Sequence, residues 1–153
     1  MEQKDQSNPF DEDFVLFIEA GFLAIRQLDE SSAKRLFFAA QELRPESVVP
    51  EIGFGYIALN KLEVKEAREI FEGVLKKEPT NQVAQSFLAI ALLLTKSKRE
   101  EGKEMINEIL AKTEDETVHQ LSEVALKWCE KDLERKDRHP FALKNSEKKK
   151  DES

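Results

Sequence analysis

A spacing of about 34 residues recurs along the chain and constrains its fold more than any other feature. Four pairs of identical residues lie at this separation: Gly21 and Gly55, Ala33 and Ala67, Phe37 and Phe71, and Pro45 and Pro79. A fixed period of this length is typical of proteins built from stacked structural repeats. In such a stack each unit packs on its neighbours and buries a face that it could not bury alone. The sequence therefore predicts a repeat protein.

Each repeat unit consists of two apolar stretches separated by a short polar turn. In the first unit the stretch from Phe14 to Gln27 is followed by polar residues 29–32 and by a second stretch from Ala33 to Leu43. Proline disfavours helical backbone at the residue before it, so Pro45 ends the first unit and Pro79 ends the second. The chain has only five glycines and five prolines in 153 residues, which favours helices. We predict an all-α fold.

The third unit departs from the strict period. The same step from Ala67 leads to Glu101, whereas one extra residue in the turn brings Gly102 and Ile106 into register. The second alignment places a small residue and an apolar residue at the corresponding positions, as repeat packing requires. We therefore predict one additional residue in the turn of this unit.

The chain divides into a helical domain, residues 14–135, and two polar ends. The predicted bounds within the domain are residues 14–47, 48–81 and 82–115 for three repeat units and 116–135 for a capping helix. Residues 1–13 and 136–153 contain too little apolar surface to offset the entropy of ordering them. We predict that they form a disordered N-terminal arm and a disordered charged tail.

The predicted capping helix has one apolar face. Val118, Leu121, Ala125 and Trp128 recur at helical spacing along it. The remaining positions are mostly polar, as the end of a repeat stack requires. We expect Trp128 to dock this helix on the third unit.

The residues at the repeated positions resemble the tetratricopeptide repeat, a helix pair of about 34 residues with small residues in both helices and a closing proline. The first unit matches with Gly21, Ala24, Ala33, Phe37, Ala40 and Pro45. The second matches with Gly55, Ala58, Ala67, Phe71, Val74 and Pro79. Ala89 and Leu92 continue the pattern into the third unit, where Thr113 replaces the proline. The resemblance covers residues 14–113 and implies a right-handed superhelix of three helix pairs followed by the capping helix.

In this family the inner wall of the superhelix is lined by the first helix of each pair. The resemblance therefore implies a largely apolar groove lined by Val15, Ile18, Phe22, Ile25, Ile52, Tyr56, Leu59, Val83, Ile90 and Leu93. The same helices are also apolar toward their partner helices, and a helix that is apolar all round must be covered on both sides. Exposed apolar patches mark binding sites. We predict that the groove holds an apolar or amphipathic segment of a partner protein.

Two alternatives would also cover the groove. The chain could fold its own capping helix or residues 141–143 into it, or two copies could pack together as a structural scaffold.

A clamp that binds the C-terminal carboxylate of a partner is disfavoured. Co-chaperones of this family form such a clamp with lysine, asparagine and arginine, and the corresponding places here include Ile18, Phe22 and Phe87.

The short length, the net charge of −7 and the apolar groove are similar to those of the chaperones of type III secretion systems. Those proteins keep needle or translocator subunits soluble in the bacterial cytoplasm. The resemblance thus implies a secreted subunit as partner, together with a small co-chaperone.

Charge and residue usage argue against other classes of protein. The acidic net charge does not favour binding to nucleic acid or to an anionic membrane surface. The segment from Gly53 to Ala58 has the spacing of a dinucleotide-binding turn but no strand before it. His119, His139 and Cys129 do not supply the ligands of a zinc site. We predict a protein without enzymatic activity, cofactor or metal. We also predict that it is cytoplasmic, since its N-terminus is acidic and its apolar stretches are too short to cross a bilayer.

Overall fold

The computed structural model describes residues 9–133, and every regular element in this part of the chain is helical. The α-helices are α1 (Pro9–Arg26), α2 (Glu30–Leu43), α3 (Val49–Asn60), α4 (Val64–Lys77), α5 (Gln82–Leu94), α6 (Arg99–Lys112) and α7 (Glu116–Trp128). A short 3-10 turn, Lys96–Lys98, precedes α6, and a turn of π-helix, Cys129–Leu133, follows α7. The predicted all-α class is confirmed for the described residues.

The helices pack in the order in which they occur along the chain. Each helix contacts the next one, and the most extensive contacts join α1 to α2, α3 to α4 and α5 to α6. The odd-numbered helices also contact each other in succession, from α1 through α3 and α5 to α7. They therefore form one continuous row. Within residues 9–133 no helix is both long enough and apolar enough to span a lipid bilayer.

The repeated glycine and phenylalanine positions are contacts between helices. Phe37 on α2 and Phe71 on α4 are fully buried. A Cβ atom at Gly21 would lie 2.6 Å from the ring of Phe37, and one at Gly55 would lie 2.5 Å from the ring of Phe71. The ring of Phe37 would also be 2.6 Å from a Cβ at Gly53, so it connects the first helix pair to α3. These positions require small residues because an aromatic ring occupies the space of their side chains.

The extra residue of the third unit lies between α5 and α6, where the 3-10 turn is found. Gly102 and Ile106 are buried, whereas Glu101 is exposed. A Cβ atom at Gly102 would lie 2.9 Å from the backbone oxygen of Ala89, so α6 approaches α5 closely at this point. The predicted alignment with one additional residue is confirmed.

Helix α1 begins at Pro9, five residues before its predicted start. Proline is favoured in the first turn of a helix. Asp11 forms an ion pair with Arg44, and the guanidinium of Arg44 lies 4.6 Å from the ring centroid of Phe14. Because these contacts hold the first turn of α1 against the end of α2, the prediction of a disordered arm is wrong for residues 9–13. The remainder of the predicted arm, the end of the predicted capping helix and the predicted tail lie outside the described residues.

Candidate protein-binding groove

An open apolar depression of about 250 Å³ lies where α3, α5 and α7 come together. Its lining residues are Tyr56, Leu59, Asn60, Leu62, Phe87, Ile90, Leu94, Leu121 and Trp128. Asn60 is the only one of these with an amide side chain, and its Nδ2 donates a hydrogen bond of 2.8 Å to the backbone oxygen of Tyr56. The depression is therefore almost wholly apolar, and we refer to it as the groove.

One aromatic side chain from each of α1, α3 and α5 forms a row that leads into the groove. The ring centroids of Phe22 and Tyr56 are 5.9 Å apart, and those of Tyr56 and Phe87 are 5.3 Å apart. Phe22 also contacts Phe37 edge to face, and Phe87 stacks on Phe71. All three rings of the row are half-buried. Phe22 and Phe87 are each held by a core ring on one side, and all three keep part of their surface accessible.

Six of the ten predicted groove residues keep accessible surface, and only two of the six line the depression itself. The two that line it are Tyr56 and Ile90. The other four are Val15, Ile18, Phe22 and Val83. Phe22 belongs to the aromatic row, and Ile18 packs against the same cluster of buried residues. Val15 lies apart from the groove, in a shallow pocket on α1 that also includes Leu16 and Glu19.

The other four predicted groove residues, Ile25, Ile52, Leu59 and Leu93, are buried. Leu93 has no exposed surface and packs in a cluster with Ile106 and Cys129. Ile25 belongs to the cluster around Phe37, and Ile52 and Leu59 belong to the cluster around Phe71. Each odd-numbered helix contacts the next odd-numbered helix, so side chains that point from one of these helices toward the next are buried between them. Ile25, Ile52 and Leu93 are thus corrected to core residues, while Leu59 contributes to the floor of the groove.

Sequence reasoning missed Phe87, Leu121 and Trp128. Trp128 does not serve only to dock α7, since its side chain is 37% exposed and lines the groove. Of the predicted apolar face of α7, Val118 and Ala125 are buried, and Leu121 and Trp128 line the groove. Ser122 is also buried, and its hydroxyl lies 3.4 Å from that of Ser86 on α5. The alternation of helices was the available signal, because it places the seventh helix beside the fifth.

The residues that line the groove carry no charge, and the charges at its edge neutralise one another. Nζ of Lys61 lies 2.9 Å from Glu63 and 3.2 Å from Glu30. Hydrogen bonds to Glu63 and then to Glu30 raise the pKa of Lys61. Hydrogen bonds from Lys34 and then from Lys61 lower the pKa of Glu30. With no charge and no acid–base pair, this surface is suited to burying apolar groups.

Other kinds of site find little support in residues 9–133. No cluster of three or more histidine, cysteine, aspartate or glutamate side chains that could hold a metal ion occurs among them. The segment from Gly53 to Ala58 lies within α3, so it is not a turn that could surround a phosphate. Cys129 is buried. Comparisons with models of protein families, with curated proteins and with solved structures give no significant match to this chain.

Proposed function

We propose that this chain is a protein-binding adaptor or chaperone without enzymatic activity, built from three tetratricopeptide-like helix pairs in a right-handed superhelix. Its groove holds an apolar, helical segment of a partner protein. The observation that carries the proposal is the uncharged depression between α3, α5 and α7, with the aromatic row of Phe22, Tyr56 and Phe87 leading into it. Apolar surfaces that a fold leaves uncovered mark interaction sites.

The state of the aromatic side chains favours binding. Rings that are already fixed by packing lose little conformational entropy when a partner covers them. Burying the remaining surface of each such side chain contributes on the order of 1 kcal/mol. A micromolar dissociation constant corresponds to about 8 kcal/mol after the cost of association, so a partner of that affinity must contact the surface around the depression as well as its lining.

The spacing of the row suits a helix as the occupant. The ring centroids of the row are 5.9 and 5.3 Å apart. An α-helix rises about 1.5 Å per residue, so its side chains at positions i and i+4 are separated by about 6 Å along the helix axis. An amphipathic helix with apolar residues at this spacing would place one side chain against each repeat.

A narrower form of the proposal is a cytoplasmic chaperone of type III secretion that holds a needle or translocator subunit. It is supported by the short chain of 153 residues, the net charge of −7 and the apolar groove. In this form a small co-chaperone would be a second partner.

A structural scaffold that forms a homodimer is the second candidate. It is favoured by the exposed apolar residues Val15, Leu16 and Leu23 on α1, the first helix of the row. A second copy of the chain could cover this surface. Light scattering tests this candidate, because a scaffold of this kind is a stable dimer, and a protein that stays monomeric at every concentration contradicts it.

The test of partner binding compares charged substitutions inside and outside the groove. Tyr56→Glu and Ile90→Glu place a charge in the groove, whereas Val124→Glu places one on an exposed valine of α7 that does not line it. Each variant is tagged and isolated from the cells that produce the protein, and co-purified proteins are identified by mass spectrometry. We expect a partner with the unmodified protein and with Val124→Glu, and none with the groove variants.

The identified partner segment is then synthesised, and its dissociation constant is measured by calorimetry. We expect at least a tenfold weaker affinity for the groove variants, which corresponds to about 1.4 kcal/mol. Equal affinity for all proteins would show that the groove is not the binding surface.

A further inference from the structure

The groove lies beside the point at which the described structure ends. Trp128 lines the groove from α7, and the chain then continues through one turn to Leu133. Leu133 packs against the buried cluster that contains Leu93 and Ile106. The segment that follows, residues 134–153, is therefore tethered next to the groove.

This C-terminal segment contains one apolar run, Phe141-Ala142-Leu143. An extended chain covers about 3.3 Å per residue, so the stretch from Leu133 to Phe141 can span about 26 Å. A helical rise of about 7 Å separates Trp128 from Leu133, so the apolar run can reach back to the groove.

The charge of this segment complements that of the rest of the chain. Residues 134–153 contain seven lysines and arginines and five acidic residues, a net charge of +2, which leaves −9 on residues 1–133 out of the total of −7. Leu62 lines the groove and also a neighbouring pocket that includes Lys65 together with Glu63, Glu66 and Glu69. Glu63 is paired with Lys61, so Glu66 and Glu69 are the carboxylates that basic residues flanking the apolar run, such as Arg138 and Lys144, would approach.

We propose that Phe141 and Leu143 occupy the groove beside Trp128 when no partner is bound. Because the tether is short, the apolar run has an effective concentration at the groove in roughly the millimolar range. A run that binds the groove with a millimolar dissociation constant therefore occupies it in about half of the molecules. A partner that binds with micromolar affinity displaces the segment, which then acts as an internal competitor. This consequence rests on the proposed function, whereas occupancy of the groove by the segment does not.

Trp128 provides the test because it is the only tryptophan in the chain. Its fluorescence, excited where tyrosine does not absorb, reports on the groove alone. The full-length protein is compared with the double variant Phe141→Ser and Leu143→Ser. The matched control is Glu147→Ser with Lys149→Ser, which keeps the apolar run and the net charge of the segment.

We expect the apolar-run variant to show a red-shifted emission and an acrylamide quenching constant about twofold higher, because the half-occupied groove becomes fully accessible. The control should behave like the unmodified protein, and the values should not depend on protein concentration. Identical emission and quenching for the unmodified protein and the apolar-run variant would overturn the proposal. A difference that grows with protein concentration would also overturn it, because the segment would then dock on a second copy.

The two proposals fail in distinguishable ways. A groove that binds a partner but shows no effect of Phe141 and Leu143 on the fluorescence of Trp128 contradicts only the internal competitor. A fluorescence effect in a protein for which no partner is found contradicts only the proposed function.

Discussion

Leu28 and Leu62 occupy equivalent positions in the first two repeats and close α1 and α3 with the same pair of hydrogen bonds. The backbone N–H of each leucine donates to the carbonyl three residues earlier, at 2.9 and 3.0 Å, and the next N–H donates to the carbonyl five residues earlier, at 2.9 Å in both turns. Both leucines have positive φ, 61° and 58°. This arrangement is the Schellman motif, whose left-handed position is usually occupied by glycine. The two side chains are also 89% and 70% exposed.

These turns predict that the leucines lower the stability of the fold. A residue with a Cβ atom in the left-handed region costs roughly 1 kcal/mol. We expect Leu28→Gly and Leu62→Gly each to raise the free energy of unfolding by about 0.5–1 kcal/mol. Leu28→Ala and Leu62→Ala keep the Cβ and should bring no such gain. Urea denaturation checks the difference, and equal stability of the glycine and alanine variants would contradict it.

Replacement of glycine by alanine should have opposite effects on stability at glycines that face an aromatic ring and at a glycine that faces open space. Gly21→Ala and Gly55→Ala would drive a Cβ into the ring of Phe37 or Phe71. We expect each to lower the free energy of unfolding by about 1–3 kcal/mol. A Cβ at Gly73 in α4 would meet no atom within 4 Å, so Gly73→Ala should raise the free energy of unfolding by about 0.5–1 kcal/mol through helix propensity alone. Chemical denaturation of the three variants tests the prediction, which fails if all three shift in the same direction.

Two adjacent phenylalanines on α2 differ sharply in environment. Phe37 is fully buried, whereas Phe38 is 56% exposed and contacts the ring of Phe54 at a centroid distance of 4.7 Å. We expect Phe37→Ala to lower the free energy of unfolding by about 3–5 kcal/mol. Phe38→Ala should lower it by only about 0.5–1.5 kcal/mol, the contribution of an aromatic pair. Similar losses at both positions would show that α2 is rotated relative to the helix described above.

The separation of core from groove can be tested by placing a charge at each kind of position. Leu93→Glu would bury a carboxylate without a partner, and we expect a large loss of helical signal in circular dichroism at room temperature. Tyr56→Glu and Phe22→Glu reach solvent and should keep nearly the full helical signal. Collapse of either of these two variants would place its side chain in the core.

The cap of α2 predicts a dependence of stability on pH. The side chain of Ser32 and then its backbone N–H, which donates to Oδ1 of Asp29 at 3.0 Å, lower the pKa of the Asp29 carboxyl below its ordinary value of 3.8. A lowered folded-state pKa means that the ionised cap adds stability above the ordinary pKa and loses it as the pH falls through the folded-state value. Asp29→Asn keeps a capping oxygen that does not titrate.

The melting temperature of the unmodified protein should therefore fall relative to that of Asp29→Asn between neutral pH and about pH 3. A constant difference in melting temperature over this range would show that Asp29 does not contribute through its charge.

The helices and their pairing could be predicted from the sequence because both depend on local patterns. The recurrence of Gly21 with Gly55 and of Phe37 with Phe71 reflects one contact made twice, between a ring and the space left by a missing side chain. The shift of Gly102 by one residue was also detectable, since only that alignment buries a small residue against α5.

The lining of the groove was harder to predict because it depends on how one helix pair packs on the next. The 34-residue period identifies which residues point toward the neighbouring repeat, but not which of them the neighbouring helix buries. Leu93 is sealed beneath α6 and α7, while Ile90, only three residues earlier, remains accessible. Trp128 reaches the groove because α7 packs on α5, a contact that the pattern within α7 does not encode. The start of α1 was missed for a similar reason, since the partner of Asp11 is Arg44, 33 residues away.

Among the described helices, substantial contacts join only elements that are one or two positions apart in the chain order. Chains with such short-range contacts close only short loops as they fold, so their folding is fast, typically within microseconds to milliseconds. Hydrogen exchange should follow the same logic, with α1 opening before α4 and α5 because α1 has neighbours on one side only. Opening of the first helix would then remove Phe22 from the aromatic row but leave the depression lined by α3, α5 and α7 in place.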